Sequence, residues 1–227
     1  YGFEAGAEVR VSDFAYNLPA NQDDLANSGM EFKLEYNGET AEGRLAGTLG
    51  VPPLYAALAA VAVGLRFEIK LKQAAIYLKN YQPPPNRLQF KKGVKETILI
   101  DDTYNASPLA TEAALDLLAK FKKNRRLAVL GSMRELGVNT EPAHRLIGKK
   151  VARAADIVFL VGDEMILARE EAVKLNMKLG QDLFWFETAT EAGVKIQKIL
   201  QPQDVVLIKG SRAVKMETIV KEIEVVE

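Results

Sequence analysis

The chain has 227 residues, with 30 basic against 30 acidic side chains and 48% apolar residues, which is enough for one large or two small domains with a normal core. The even charge balance argues against a nucleic-acid partner, and the absence of cysteine beside a single histidine excludes disulfides, thiolate nucleophiles and Cys/His metal clusters. No apolar run reaches membrane-spanning length and Tyr1-Gly2-Phe3-Glu4 is no signal peptide, so the expectation is a cytoplasmic globular protein without a membrane partner; a start at Tyr rather than Met suggests a fragment.

In chain order, Val9-Arg10-Val11 reads as a short strand. Glu31 to Tyr36 alternates polar and apolar, Asn37-Gly38 supplies a two-residue turn, and Thr40 to Leu45 returns, which predicts a β-hairpin. Pro52-Pro53 opens an Ala-rich helix over 54–64, since proline suits a first turn whose N–H would be unbonded. A second helix is predicted over 68–80. Three prolines at 83–85 stop it and mark a domain boundary, giving expected domains 1–85 and 86–227.

Beyond the prolines, strands are predicted at 97–100, 127–131, 157–162, 183–186 and 205–210, with helices over 108–122, 141–155, 165–175, 190–200 and 213–224 between and after them. Near-continuous apolar strands separated by helices predict an α/β fold with a mostly parallel sheet covered on both faces. Leu109, Ala113, Leu117 and Phe121 are read as one face of the first of these helices, Trp185 as core, and His144 as a surface or partly buried helix residue. Of the basic runs Lys120 to Arg126 and Lys149 to Arg153, both read as solvated surface and the first as a helix end leading into a strand.

In such sheets ligands bind beyond the carboxyl ends of the strands. Those tails read Asp101-Asp102-Thr103-Tyr104-Asn105, Gly131-Ser132-Met133-Arg134-Glu135, Gly162-Asp163-Glu164, Glu187-Thr188 and Lys209-Gly210-Ser211-Arg212. Asp101-Asp102 suits a ribose hydroxyl, a cation or a helix cap, although Ser107 before Pro108 is the better cap. Lys209 and Arg212 around a glycine suit a carboxylate or phosphate, or are simple surface charge. Neither G-x-x-x-x-G-K-[ST] nor G-x-G-x-x-G occurs in the chain.

Together, Ile98-Leu99-Ile100-Asp101-Asp102-Thr103-Tyr104-Asn105-Ala106-Ser107-Pro108, Val129 to Gly137 followed by His144, and Val206 to Arg212 resemble three blocks of the C-terminal domain of the Mur peptide ligases. The resemblance is to the branch that joins D-Ala-D-Ala to a UDP-MurNAc-peptide, and the preceding residues look like the last part of the family's central ATPase domain. It implies a Rossmann-like domain from an ATP- and Mg2+-dependent enzyme of cell-wall precursor synthesis. It also implies that Arg87 reaches nucleotide phosphates, that Asp102 binds ribose, and that Asn105, Ser132 and Lys209 face the incoming dipeptide or the phosphates. No catalytic residue and no metal ligand is assigned in this chain. The family's phosphate loop, magnesium ligands and UDP-sugar domain lie in earlier parts, the missing N-terminal and central domains. This polypeptide alone is therefore expected to be inactive as a ligase and to bind no cofactor tightly. The chain departs from the family at Asn86 (usually glycine), Ser132 (usually an acid), Pro52 (histidine) and Ala56 (asparagine). The last two leave a non-catalytic binding or scaffold module as an alternative, and a sister ligase that adds a single amino acid is a third reading.

Overall fold

The structure, a computed structural model, describes residues 1–225; Val226 and Glu227, which the expected second domain includes, lie outside the described residues. The chain divides into two compact units, residues 1–20 with 24–84 and residues 21–23 with 85–227.

The first unit is a three-stranded antiparallel sheet in the order β1 (Val9–Asn17), β2 (Gly29–Tyr36), β3 (Glu39–Ala46), with helices α1 (Val51–Arg66) and α2 (Leu71–Leu78). The hairpin forms around Asn37 and Gly38, both at positive φ as a tight turn requires, and pairs Tyr36 with Glu39. Strand β1 runs six residues past the predicted Val11. A bulge between Ser12 and Ala15, with Asp13 at φ 49, breaks the alternation on which the shorter prediction rested. Helix α1 starts on Gly50 at φ 106, with its prolines in the first turn, and buries Leu54, Ala57, Leu58 and Val61. Helix α2 begins three residues later than predicted, because Glu68 takes φ 62 and ends the preceding turn.

The second unit holds a six-stranded sheet in the order β4-β5-β9-β6-β7-β8. Strands β5 (Thr97–Asp102), β6 (Arg126–Gly131), β7 (Ile157–Val161), β8 (Leu183–Phe186) and β9 (Val205–Lys209) are parallel, and β4 (Gln89–Gly93) pairs antiparallel with β5 at the edge. Sequence patterning missed β4, whose Lys91 and Lys92 look like solvated surface. Lys91 is instead held by Asp101 at 3.2 Å and Glu224 at 2.8 Å. Helices α3 (Pro108–Leu118), α4 (Thr140–Ala154) and α5 (Met165–Lys174) pack side by side, as do α6 (Ala189–Ile199) and α7 (Glu217–Ile223). Alternate strand residues Leu99, Leu127, Val129, Phe159, Val206 and Ile208 bury against Ala192, Ile196, Ile219 and Val220 of α6 and α7. Each such side chain contributes about 1.5–3 kcal/mol relative to exposure.

Local chemistry sets the helix ends. Ser107 caps α3 by accepting the Ala110 N–H, with Pro108 following, and Thr188 and Glu191 close a capping box on α6. The predicted face of α3 is half right. Leu117 and Phe121 are buried, the latter just past the helix end, but Leu109 is 81% exposed and Ala113 is exposed, while Thr111, Ala114, Leu115 and Leu118 complete the buried stripe. The helix predicted over 213–224 is split, because Lys215 at φ 55 separates a short 3-10 turn from α7. Trp185 is half-buried rather than core, since β8 is the sheet's edge; its Nε1 donates to the Gly162 carbonyl at 2.9 Å. Arg125 and Arg126, from the run read as solvated surface, are paired with Asp204 and Asp156 at 2.6 Å.

Candidate functional site

Strand β9 lies between β5 and β6, so the chain reverses direction across the sheet there, and the crevice at such a switch lies beyond the carboxyl ends. The last residues of β5 and β9, Asp102 and Lys209, are direct register partners. Parallel partners project to the same face, and the two side chains meet there at 2.5 Å, with Asp102 8% and Lys209 2% exposed. Asp102 also accepts the Leu88 N–H at 3.2 Å, and Lys209 donates to the Asn105 carbonyl at 3.0 Å. Burial pushes the Asp102 carboxyl above the usual carboxylate value, against the pull of the Lys209 ammonium and the Leu88 N–H. Asp101 points to the opposite face. Its Oδ1 accepts from the Thr103 N–H and hydroxyl at 3.2 and 2.7 Å. The adjacent acids therefore do different jobs, and neither caps α3.

The loop after β5 is held open beside this pair. Asn86 takes φ 62, a conformation that glycine and asparagine adopt most readily, so asparagine is a compatible substitute for the family's glycine. Its carbonyl accepts the Tyr104 N–H at 3.0 Å and its amide donates to Thr103 Oγ1 at 2.9 Å. Tyr104 is 43% exposed, with the Arg87 guanidinium 4.1 Å and the Arg212 guanidinium 5.7 Å from its ring centre. Ser211 ties the neighbouring loops together. Its hydroxyl donates to Asn105 Oδ1 at 3.4 Å and its N–H to the Ser132 carbonyl at 3.2 Å.

Ser132, at the end of β6, is fully buried. Its N–H donates to the Val161 carbonyl at 3.0 Å, and a Cβ on Gly162 would come within 2.5 Å of its hydroxyl. His144 is also fully buried, deeper than the surface or partly buried position expected from the sequence. Its Nε2 accepts the Met133 N–H at 3.0 Å, so the ring proton sits on Nδ1 and donates to the Thr140 carbonyl at 2.7 Å. Burial pulls the imidazole below its ordinary value of 6.5, with Thr140 opposing. Its role is to pin the β6 loop. The i, i+3, i+4, i+7 set His144, Ile147, Gly148 and Val151 carried the signal that it faces the core. Arg134, from the same loop, forms an ion pair with Glu164 after β7. Burial alone would raise the Glu164 carboxyl, but the Ser132 hydroxyl, its own backbone N–H, Arg134 and His144 bring it below the usual carboxylate value.

The structure thus brings Asp102, Asn105 and Lys209 into direct contact, links Ser132 to them through Ser211, and sets Arg87 against Tyr104. Tyr104 was not singled out in the sequence, although an aromatic within a strand-end loop between two arginine-bearing segments was the available signal. Among the described residues no group of three or more His, Cys, Asp or Glu side chains could hold a metal ion. A surface depression of about 390 Å³ lies elsewhere, on the first unit between Glu8, Arg10 and the β2–β3 turn, and brings together none of these groups.

Residues 86–212 match the family described as Mur ligase, glutamate ligase domain. The chain belongs to that family. The UDP-N-acetylmuramoyl-tripeptide–D-alanyl-D-alanine ligase of Escherichia coli is 30% identical over 205 residues, covering 88% of this chain and 43% of that protein. Its Bacillus subtilis counterpart is 30% identical over 177 residues, covering 77% and 38%. The crystal structure of MurF from Acinetobacter baumannii superposes with a TM-score of 0.78 at 28% identity, covering 96% of this chain and 45% of that one. The chain spans about two fifths of the length of these curated relatives. Its Mur ligase domain carries the α/β sheet described above; of the five site residues expected from the sequence, Asp102 and Lys209 end strands β5 and β9, Asn105 and Ser132 lie in the loops after β5 and β6, and Arg87 lies just ahead of β4.

Proposed function

We propose that this chain is the C-terminal portion of an ATP-dependent peptide ligase that adds D-Ala-D-Ala to a UDP-MurNAc-tripeptide in the cytoplasm, with residues 1–85 the end of the central ATPase domain. The observation that carries this is the 30% identity to the D-alanyl-D-alanine ligase of Escherichia coli over 205 residues, beside the family match over residues 86–212, which hold all three strand-end blocks.

In that reaction a carboxylate oxygen of the UDP-linked peptide attacks the γ-phosphorus of ATP and ADP leaves. The amine of the dipeptide then attacks the acyl carbon, phosphate departs, and the amine loses a proton. The groups in this chain bind and orient. Arg87, exposed over Tyr104, offers its guanidinium edge to the nucleotide phosphates. Asp102 can accept a ribose hydroxyl only in addition to its bonds from Lys209 and Leu88, so its larger role is to hold the Leu88 end of the linker. Lys209 acts through the shape it gives the Asn105 loop. Asn105 and the Ser132 loop line the side from which the dipeptide arrives.

The test is an ADP-release assay on the longer protein with ATP, UDP-MurNAc-tripeptide and D-Ala-D-Ala, run beside single D-amino acids. Turnover that requires the dipeptide is expected, and the 227-residue chain alone should show none. Turnover with a single amino acid in its place would assign a sister ligase. No turnover with any amine would favour a binding module, the reading that Pro52 and Ala56 in the exposed first turns of α1 support.

A further inference from the structure

We propose that Arg87, Tyr104 and Arg212 form one polyphosphate-binding site in which Arg212 is the second cation and the Tyr104 ring is the platform that positions both guanidiniums. The proposal deepens the nucleotide reading above and rests on it for the identity of the natural ligand.

The charges around this ring are uneven. Lys209, three residues before Arg212, is neutralised by Asp102 in the sheet, and Asp101 faces Lys91 on the other side. What remains on the solvent side is two exposed guanidiniums against one half-exposed phenol. Among the described residues neither guanidinium has a carboxylate within ion-pairing distance, although most of the other arginines in the second unit, from Arg125 to Arg145, do have one. Two like charges held over one ring repel each other unless an anion sits between them.

The scaffold holds them there deliberately in the geometric sense. Arg87 is placed by Asn86, whose left-handed backbone and two hydrogen bonds fix the chain just before it. Arg212 is placed by Ser211, which is bonded to both neighbouring loops. A planar guanidinium stacked on a ring keeps its N–H edge free for in-plane acceptors. Two such edges at different distances from one ring suit a ligand with several anionic oxygens spread along its length. A chain of phosphates meets that requirement and a lone carboxylate does not.

The experiment is a titration of this chain with inorganic tripolyphosphate, followed by NMR of the arginine Nε–H and Tyr104 ring signals, with acetate as the control. Saturable binding is expected for tripolyphosphate and not for acetate. Arg87→Ala, Arg212→Ala and Arg212→Gln should each weaken it by about fivefold or more. Tyr104→Phe should keep the affinity and Tyr104→Ala should lose it. Both arginines are exposed, so circular dichroism should show each variant folded. Absence of saturable binding, equal binding of acetate, or an Arg212→Ala chain that binds like the parent overturns the proposal. In the longer protein Arg212→Ala should raise the KM for ATP while leaving the KM for the dipeptide unchanged. A parent enzyme with no ligase turnover would sink the ligase reading while leaving the titration result intact.

Discussion

Two regions at the carboxyl edge of one sheet use the same kinds of side chain in opposite ways. At the ends of β5 and β9, Asp102 and Lys209 close on each other at 2.5 Å, with 8% and 2% of their surface exposed. A few residues away Arg87 and Arg212 stay exposed, share one tyrosine ring and meet no carboxylate among the described residues. The first arrangement is internally satisfied and therefore structural. The second is electrostatically incomplete and therefore available to a ligand. Chemical type does not separate them, since both are cations in one seven-residue stretch. Register does: Lys209 is the last sheet residue opposite Asp102, whereas Arg212 lies past Gly210, where no strand partner can meet it.

The largest expected effect comes from breaking the closed pair. Lys209→Met leaves Asp102 buried without its partner and should destabilise the second unit by about 3–5 kcal/mol. Adding Asp102→Leu should recover much of that loss, because the desolvated charge goes too. Denaturant unfolding of the two single variants and the double variant measures the coupling. Additive losses would show that the pair is not the unit described.

A middle-sized effect tests the buried imidazole beneath the β6 loop. His144→Ala strands the Met133 N–H and the Thr140 carbonyl and should cost about 1–3 kcal/mol. The histidine also brings a pH dependence. Its folded pKa is depressed below 6.5, so below that pH the unfolded chain binds the proton more readily. The stability it contributes is present above 6.5 and is lost as pH falls toward the folded value. It is the chain's single histidine, so His144→Asn should flatten this part of the stability–pH curve. An unchanged slope would place the titration elsewhere.

The smallest effect falls on the open region. Arg212→Ala should change unfolding stability by no more than about 0.5 kcal/mol, because an exposed guanidinium without a charged partner holds nothing together. A loss near that of Lys209→Met would make the two regions alike and remove the reason for reading the second as a binding surface.

How legible each part was follows from how local its cause is. The hairpin at Asn37-Gly38, the Ser107-Pro108 helix start and the five apolar parallel strands were all readable, because each depends on neighbours within a few residues. Strand β4 was not, since its Lys91 is held in place by Asp101 and by Glu224, the latter distant in sequence. The first half of the α3 face was misread for a related reason. Leu117 and Phe121 are buried as expected, but the neighbouring elements cover Thr111, Ala114 and Leu118 rather than Leu109 and Ala113.

The candidate site divides in the same way. Asp102, Asn105, Ser132 and Lys209 could be placed at strand ends from the sequence, and the three blocks that hold them carried the family resemblance. That much is local pattern: an apolar run followed by polar residues and a turn. Which of them face a ligand and which face each other was decided only by tertiary structure. Placing β9 between β5 and β6 makes Lys209 the partner of Asp102 and brings Arg212 to Tyr104. A parallel sheet is ordered by long crossovers whose strand sequence is not written in any one segment, so the pairing that closes one charge and leaves another open is a property of the assembled sheet.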